Sequence, residues 1–469
     1  MTGIVNCRQC ADESNASPAG VAGASEITPD APVVSGPGAA PRVLLLMSPA
    51  TYREGAFLDA GRRIGLDVQR ITDLPDALLR EEEERAERLH RRRTPGLRSV
   101  DFAEPDVAVG TLVDSVRRDG GHDVRAILAV DDRGAMIAAR ASRELGLAHN
   151  DPDAALAARD KFVMREALAA GGVPVPRYTR YPASTDPATI AGEVDYPCVV
   201  KPLLLSGSRG VIRADNPAEF VGAFARTRAI LEASGMPASE HCILVEQFVP
   251  GVEVALEGLL TDGALETLAL FDKPDPLDGP FFEETIYVTP SRLDAGVQAA
   301  ISRRTAEAAA AIGLRHGPVH AELRIDLARD DIWLIELAGR SIGGLCSSVL
   351  EFGAGMCLEE LILRHAASLP IDSTQRAGEA AGVMMIPIPK GGMLRGVTGE
   401  DAALAVPHIT GVQITAPLNQ PIVPLPEGES YLGFIFARAA TSDVVEQALR
   451  DAHACLRFRI DPAIALRLA

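Results

Sequence analysis

No apolar stretch of the 469-residue sequence is long enough to span a bilayer. Its first residues, MTGIVNCRQCADESNASPAG, offer neither the basic start nor the apolar run of a secretory signal, so a cytoplasmic location is expected. Cysteines number seven, odd and scattered, which excludes a disulfide framework. Cys7 and Cys10 form a CxxC, but without a second pair or a strand–helix context it reads as part of a loose end rather than a metal or redox site. Positive charge is in deficit: the net charge of -18 argues against non-specific binding to nucleic acid or an acidic membrane, while leaving room for a nucleotide in a local basic pocket. A Walker loop is absent, no GxGxxG follows the first strand, and Gly343 and Gly344 come too late in the chain to serve as one. There is no internal repeat.

What is present is a soluble composition, 47% hydrophobic and 23% charged, in a chain long enough for two to four domains. Residues 1–41 are rich in Ala, Gly, Ser and Pro without periodicity and read as a flexible leader. From Arg42, apolar strands (RVLLLMSPA, LDVQRITD, VRAILAVDD) alternate with helical stretches, which predicts a parallel α/β layer over 42–150. Within it, EEEERAERLHRRR (Glu81–Arg93) reads as a solvated helix or insertion. A second region, 151–377, holds a small α+β lid at about 196–258, a long helix at Ala295–Ile312, a hairpin and a last helix. A third, strand-rich unit covers 378–469 and is a candidate either for completing a pocket or for homodimer contact.

Charged residues inside apolar runs mark the chemistry. Lys201 interrupts the strand of YPCVVKP, and after four intervening residues SGSRG (Ser206, Gly207, Ser208, Arg209, Gly210) offers backbone amides and hydroxyls that suit phosphate oxygens. A snorkelling edge-strand lysine beside an ordinary hairpin loop fits equally well. In ILVEQFVPGVEV, an apolar strand runs into Glu246, turns at Pro250–Gly251 and resumes with Glu253. Such a strand end can offer backbone to a base edge and a carboxylate to a ribose, or simply carry surface charge.

The segment PVHAELRIDLARDDIWLIELAGR reads as two strands joined by a turn. Alternation puts His320, Glu322, Arg324 and Asp326 on one face and Val319, Ala321, Leu323 and Ile325 on the other. If the hairpin folds symmetrically about Arg329, Glu322 faces Glu336. Like charges opposed across strands are destabilising unless a cation lies between them, and carboxylates completed by phosphate oxygens are what Mg²⁺ prefers. The competing reading slips the register and pairs each glutamate with Arg324 or Arg340. His320 reads as a hydrogen-bonded structural residue.

Taken in order, ARDKFVMREAL…GVPVP, YPCVVKP, SGSRG, VEQFVPGVEV, HAELRID and IELAGRSIGG resemble the ATP-grasp superfamily, in particular carboxylate–amine ligases of the L-amino-acid ligase and carnosine-synthase type. The resemblance runs from about Arg42 to the C-terminus and is strongest over Arg159–Gly344. It implies a fold of mixed α/β and α+β class: an N-terminal Rossmann-like domain, a small lid, a central antiparallel-sheet domain and the strand-rich C-terminal subdomain. By position Lys161 and Lys201 would hold ATP phosphates, Ser206–Gly210 would form the flap over them, and Glu246, Gln247, Phe248 and Val249 would take the adenine edge. Glu253 would take the ribose, Glu322 and Glu336 the metal (Mg²⁺, with Mn²⁺ as a substitute), and Arg340 the transferred phosphoryl group. In the stretch Leu268–Ser291, where such enzymes line the acceptor pocket, Lys273 would bind phosphate or a substrate carboxylate. Glu284 would hold the incoming ammonium or accept its proton.

The implied reaction joins a carboxylate, of an amino acid or small carboxylic acid, to an amine through an acyl-phosphate, releasing ADP and phosphate. Its substrates are small molecules, their identity left open by the sequence. A thiol acceptor, a biotin-carboxylase-like enzyme and a non-catalytic nucleotide-binding module are the rival readings. One departure stands out: the usual pattern places an asparagine two residues after the metal-binding glutamate, and this chain has Ala338 there, which cannot coordinate a second ion.

Overall fold

In a computed structural model, the residues described are 40–462 apart from 50, 76, 80, 82–98, 119 and 121–122. Residues 1–39 of the leader, the CxxC among them, and the charged run beyond Glu81 lie outside them. The described residues form one compact unit. Among the described residues no helix is long and apolar enough to cross a membrane.

The first layer arises from its alternating pattern. Arg42–Leu46 pairs in parallel with Asp67–Ile71 on one side and Val124–Ala129 on the other. Parallel strands need helical crossovers, and these are supplied by Glu54–Ile64 and Pro105–Arg118, while Asp132–Leu145 follows the last strand; the three helices flank the sheet. At the carboxyl end of this sheet Asp131 caps the last of these helices through the Arg133 amide (3.1 Å) and accepts the Ser48 amide (2.6 Å). Open α/β sheets present ligands at this end.

The lid is a four-stranded antiparallel sheet, ordered Tyr178–Pro182, Cys242–Gln247, Cys198–Pro202, Ile212–Ala214, with helix Pro217–Glu232 packed on it. It therefore begins before the expected residue 196. Val252–Thr261, which the expected boundary divided, belongs wholly to the central sheet.

That central sheet has eight antiparallel strands in the order Asp331–Ala338, Gly317–Asp326, Val252–Thr261, Ala264–Lys273, Ile286–Thr289, Ala380–Ile386, Gly433–Ala439, Ile409–Ile414. Three of these come from beyond residue 378, so the C-terminal strands extend the central sheet. Ile286–Thr289 pairs directly with Ala380–Ile386, and Phe434 lies in the same buried cluster as Phe271 and Tyr287. Hydrogen bonding requires this continuity, since an uncovered Ile286–Thr289 edge would leave its backbone groups unpaired. On one face, Val319, Ala321, Leu323 and Ile325 pack with helices Ala295–Ile312 and Lys161–Ala170, all four side chains at 0–1% exposure as alternation predicts. The opposite face carries the charged set.

Candidate active site

The hairpin sets the geometry. Next to the turn Asp326 pairs with Asp331 and Leu323 with Leu334, one step off symmetry about Arg329. A β-bulge then restores the expected pairing, and Glu322 faces Glu336. The skipped residue is Ile335, whose carbonyl accepts from Arg165 Nη2 (2.8 Å). A bulge puts two residues opposite one and re-aims the side chains beyond it, so here it turns Glu336 onto the face that carries Glu322. Their side chains are 27% and 19% exposed, open enough to be reached from the cleft.

Around Glu322 the charged groups form a connected network. Lys273 Nζ contacts Glu253 (2.8 Å), Glu284 and Glu322 (3.3 Å). Burial alone would lower the Lys273 pKa, but the three carboxylates raise it well above the usual lysine value. Burial and the Glu322 charge push Glu284 up to about 7, against the pull of Lys273. Glu322 itself is held well below the carboxylate range: burial opposes this, and Lys273 and His320 overcome it. Oxygens of Glu253, Glu284 and Glu322 lie within 4.8 Å of one another, but the contacts show Lys273 already placed among them. The surface of Glu322 turned toward Glu336 is thus the more suitable place for a metal. Two facing carboxylates form an all-oxygen donor set of the kind Mg²⁺ takes, so the residues present fit that ion. Ala338 is buried (2%) and adds no ligand.

His320 serves this network as a structural group. Its Nδ1 hydrogen-bonds Glu257 and its Nε2 lies 3.5 Å from Glu322. Burial would lower its pKa, but the Glu257 charge and hydrogen bond dominate and lift it to about 9. Glu257 also accepts the Ile342 amide (3.1 Å), fixing the loop after the hairpin.

Lys161 is placed by its predecessor. Asp160 caps helix Lys161–Ala170 through the amides of Phe162 (2.8 Å) and Val163 (3.1 Å), so Lys161 opens the first turn. Its Nζ donates to the Leu205 carbonyl (2.9 Å) at the base of the flap and lies 3.7 Å from Glu336. Lys201 finds its anion in Glu246, which also takes Arg165 Nε (2.7 Å) and Nη2 (3.3 Å). Burial would raise the Glu246 pKa, but Arg165 and Lys201 hold it low. The Glu246 carboxylate is consequently committed to two cations inside the protein. The base-edge role expected of Glu246–Val249 would draw on backbone groups, which this side-chain pairing does not engage. Phe248 lies under the guanidinium of Arg213, 4.2 Å from ring centre to Cζ.

In the flap, Gly207, Ser208 and Gly210 all adopt positive φ (62°, 57° and 74°), which curls the segment tightly. It is latched to the C-terminal unit: Gly210 donates to Pro426 (2.8 Å) and Arg209 to the Glu427 carbonyl (3.0 Å). Beyond the hairpin, Arg340 is clamped by Asp132 through Nε (2.9 Å) and Nη2 (3.0 Å). Burial works against both charges, yet each stabilises the other: Arg340 moves above its usual pKa and Asp132 below. Asp132, Arg165 and Glu257 do not stand out in the sequence. The one available signal is VDD at the carboxyl end of a parallel strand.

Profile comparisons agree with this architecture. Residues 194–349 match the ATP-grasp domain, and 384–461 match L-amino acid ligase C-terminal domain 2. The chain carries an ATP-grasp domain. Alanine–anticapsin ligase of Bacillus subtilis is 27% identical over 240 residues, covering 48% of this chain and 50% of the relative. The chain thus aligns with about half the length of that curated relative. The L-amino acid ligase of Bacillus licheniformis superposes with a TM-score of 0.71 at 22% identity, over 91% of this chain and 100% of the other, and so shares the fold. The biotin carboxylase domain of the 2-oxoglutarate carboxylase of Hydrogenobacter thermophilus, solved with MgADP, superposes less closely (TM-score 0.61, 16% identity, 89% and 90% covered).

Proposed function

We propose that this protein is an ATP-dependent ligase that joins a carboxylate, of an amino acid or similar small acid, to an amine, giving ADP and phosphate. The observation that carries this reading is the convergence of Lys161, Lys273, Glu322, Glu336 and Arg340 around one hairpin, within a chain that matches both an ATP-grasp and an L-amino acid ligase C-terminal profile. A carboxylate is a poor electrophile because oxide is a poor leaving group; phosphorylation replaces oxide by phosphate. In that step the protein mainly positions groups and neutralises charge.

Lys161 and Lys201 are assigned to the ATP phosphates beneath the Ser206–Gly210 flap, the backbone of Glu246–Val249 to the base and Glu253 to the ribose. Glu322 and Glu336 would hold Mg²⁺, for which Mn²⁺ is expected to substitute; the ion would supply charge neutralisation at the phosphates. Arg340, oriented by Asp132, is assigned to the transferred phosphoryl group. Lys273 is assigned to phosphate or a substrate carboxylate, and Glu284 beside it to the incoming amine. Closure of the flap against 426–429 would exclude the water that hydrolyses an acyl-phosphate. The C-terminal unit remains the candidate for homodimer contact.

The alanine–anticapsin ligase match directs the first test to amino acids. Pairs of amino acids are screened for phosphate release with ATP and Mg²⁺. At least one pair should release ADP and phosphate in step with a new amide, and Arg340→Ala should fold yet lose that activity. AMP and pyrophosphate as products, or full activity in the variant, would overturn the reading.

A further inference from the structure

Between the N-terminal parallel layer and the central sheet, behind the Arg340 loop, lies a cavity of about 500 Å³. None of Lys161, Lys201, Lys273, Glu322, Glu336 or Arg340 lines it, so it is separate from the phosphate-handling cluster. Few protein interiors keep a void larger than a water molecule. Small-molecule pockets, by contrast, measure about 300–1,000 Å³ and combine apolar walls with a few placed polar groups. Apolar walls are supplied here by Ala126, Ala138, Ala155, Leu314 and Ile362.

Most of the polar groups in the lining are already engaged. His149 Nδ1 bonds the Leu147 carbonyl (2.7 Å), His365 Nε2 bonds the Thr261 hydroxyl (2.9 Å), and His316 Nε2 lies 3.6 Å from the exposed Asp262. At the inner end, Asp132 is clamped to Arg340. Arg159 is the exception. It closes helix Pro152–Arg159, lines the cavity, and its charge acts on Asp132, which places it at the inner end. Its guanidinium makes no hydrogen bond or ion pair among the described residues, and although the residue is half-buried its nitrogens keep accessible surface. Asp132 is balanced by Arg340, so Arg159 leaves the inner end with one positive charge in excess. A planar guanidinium with free N–H groups matches a carboxylate, and such charge-assisted bonds are the strong ones.

We propose that this cavity is a second ligand site, for an amphipathic organic anion whose carboxylate pairs with Arg159 and whose aryl or alkyl body lies along the apolar walls.

The test uses 2-naphthoate as probe and 2-naphthamide as its neutral counterpart, titrated calorimetrically into the full chain. Measured without nucleotide, the result is independent of ligase activity. 2-Naphthoate should bind saturably at one site, at least 10-fold tighter than 2-naphthamide, and a saturating non-hydrolysable ATP analogue should not displace it. Arg159→Gln should weaken 2-naphthoate roughly 10- to 100-fold, the worth of a charge-assisted hydrogen bond, and leave 2-naphthamide unchanged. Ala135→Leu, at a half-buried lining position one helical turn from Asp132, should weaken both probes. Absence of saturable 2-naphthoate binding to the wild type, or equal affinity for the two probes, would overturn the proposal. So would displacement by the ATP analogue, or undiminished 2-naphthoate binding in either folded variant.

Discussion

Arg340 and Asp132 are 208 positions apart in sequence and meet through two hydrogen bonds. Asp132 touches no reacting group in the proposed reaction; it is a positioning residue that fixes the plane of the guanidinium. Charge-assisted bonds are worth about 1.5–3 kcal/mol, so Asp132→Asn should lower kcat about 10- to 100-fold while changing KM for ATP little. A KM increase with kcat unchanged would place the pair outside the phosphoryl-transfer step. A second long-range pair, Arg53 with Glu359, is purely structural. Both side chains are 3% exposed, and Arg53 also reaches Ser341 Oγ (2.6 Å) and the Ile342 carbonyl (2.9 Å). Burial opposes ionisation of Glu359, but Arg53 and Ser347 hold its pKa below the ordinary 4.5. A depressed carboxylate pKa contributes stability that is complete above about 4.5 and is lost as pH falls through the folded-state value. Glu359→Gln should therefore be less stable than wild type at pH 7 and lose less further stability on acidification toward pH 3, as read by urea unfolding at each pH. Lys201 and Glu336 are legible in the sequence because each interrupts an apolar run, and Glu322 because alternation and the hairpin set it opposite Glu336. Asp132, Arg165 and Arg53 are not, because a side chain's partner 208, 81 or 306 positions away leaves no local pattern.

The hairpin shows what periodicity can and cannot supply. Alternation identifies both faces of Gly317–Asp326 and brings Glu322 opposite Glu336. It does not reveal that the turn is one residue tighter and that a bulge at Ile335 compensates, because a bulge leaves no mark on a period-2 pattern. The lid boundary escapes the sequence for a related reason. Tyr178–Pro182 is an edge strand ending in proline and has no continuous apolar signature, while Val252–Thr261 continues past the expected border as an apolar run. The turn between Glu246 and Glu253 depends on Gly251, at φ 118°, where an added Cβ would sit 2.2 Å from the Ile325 carbonyl oxygen. Gly251→Ala must push this turn away from the neighbouring strand. We expect destabilisation on the order of 2–4 kcal/mol and weaker binding of an ATP analogue, measured by thermal unfolding and titration. An unchanged melting temperature would show that the turn relaxes freely.

At the scale of the molecule, the parallel N-terminal layer and the antiparallel centre are readable from strand–helix alternation and the hairpin pattern. The sharing of one sheet across residue 378 is not, because strand order depends on pairings between distant segments. A chain ending at 377 would expose the Ile286–Thr289 edge and remove Phe434 from the cluster around Phe271 and Tyr287. Such a truncation should be insoluble or lack cooperative unfolding; a monomeric, cooperatively melting fragment would show that the unit after 378 is separable. The same sharing connects the flap to the C-terminal unit through Pro426 and Glu427. The central claim concerns the path of one oxygen atom. With an amino-acid pair that supports turnover, the carboxylate substrate is labelled with ¹⁸O, and the released phosphate is analysed by mass spectrometry. An acyl-phosphate path predicts one ¹⁸O in each phosphate formed, with ADP as the other product; unlabelled phosphate, or label in AMP, would contradict it.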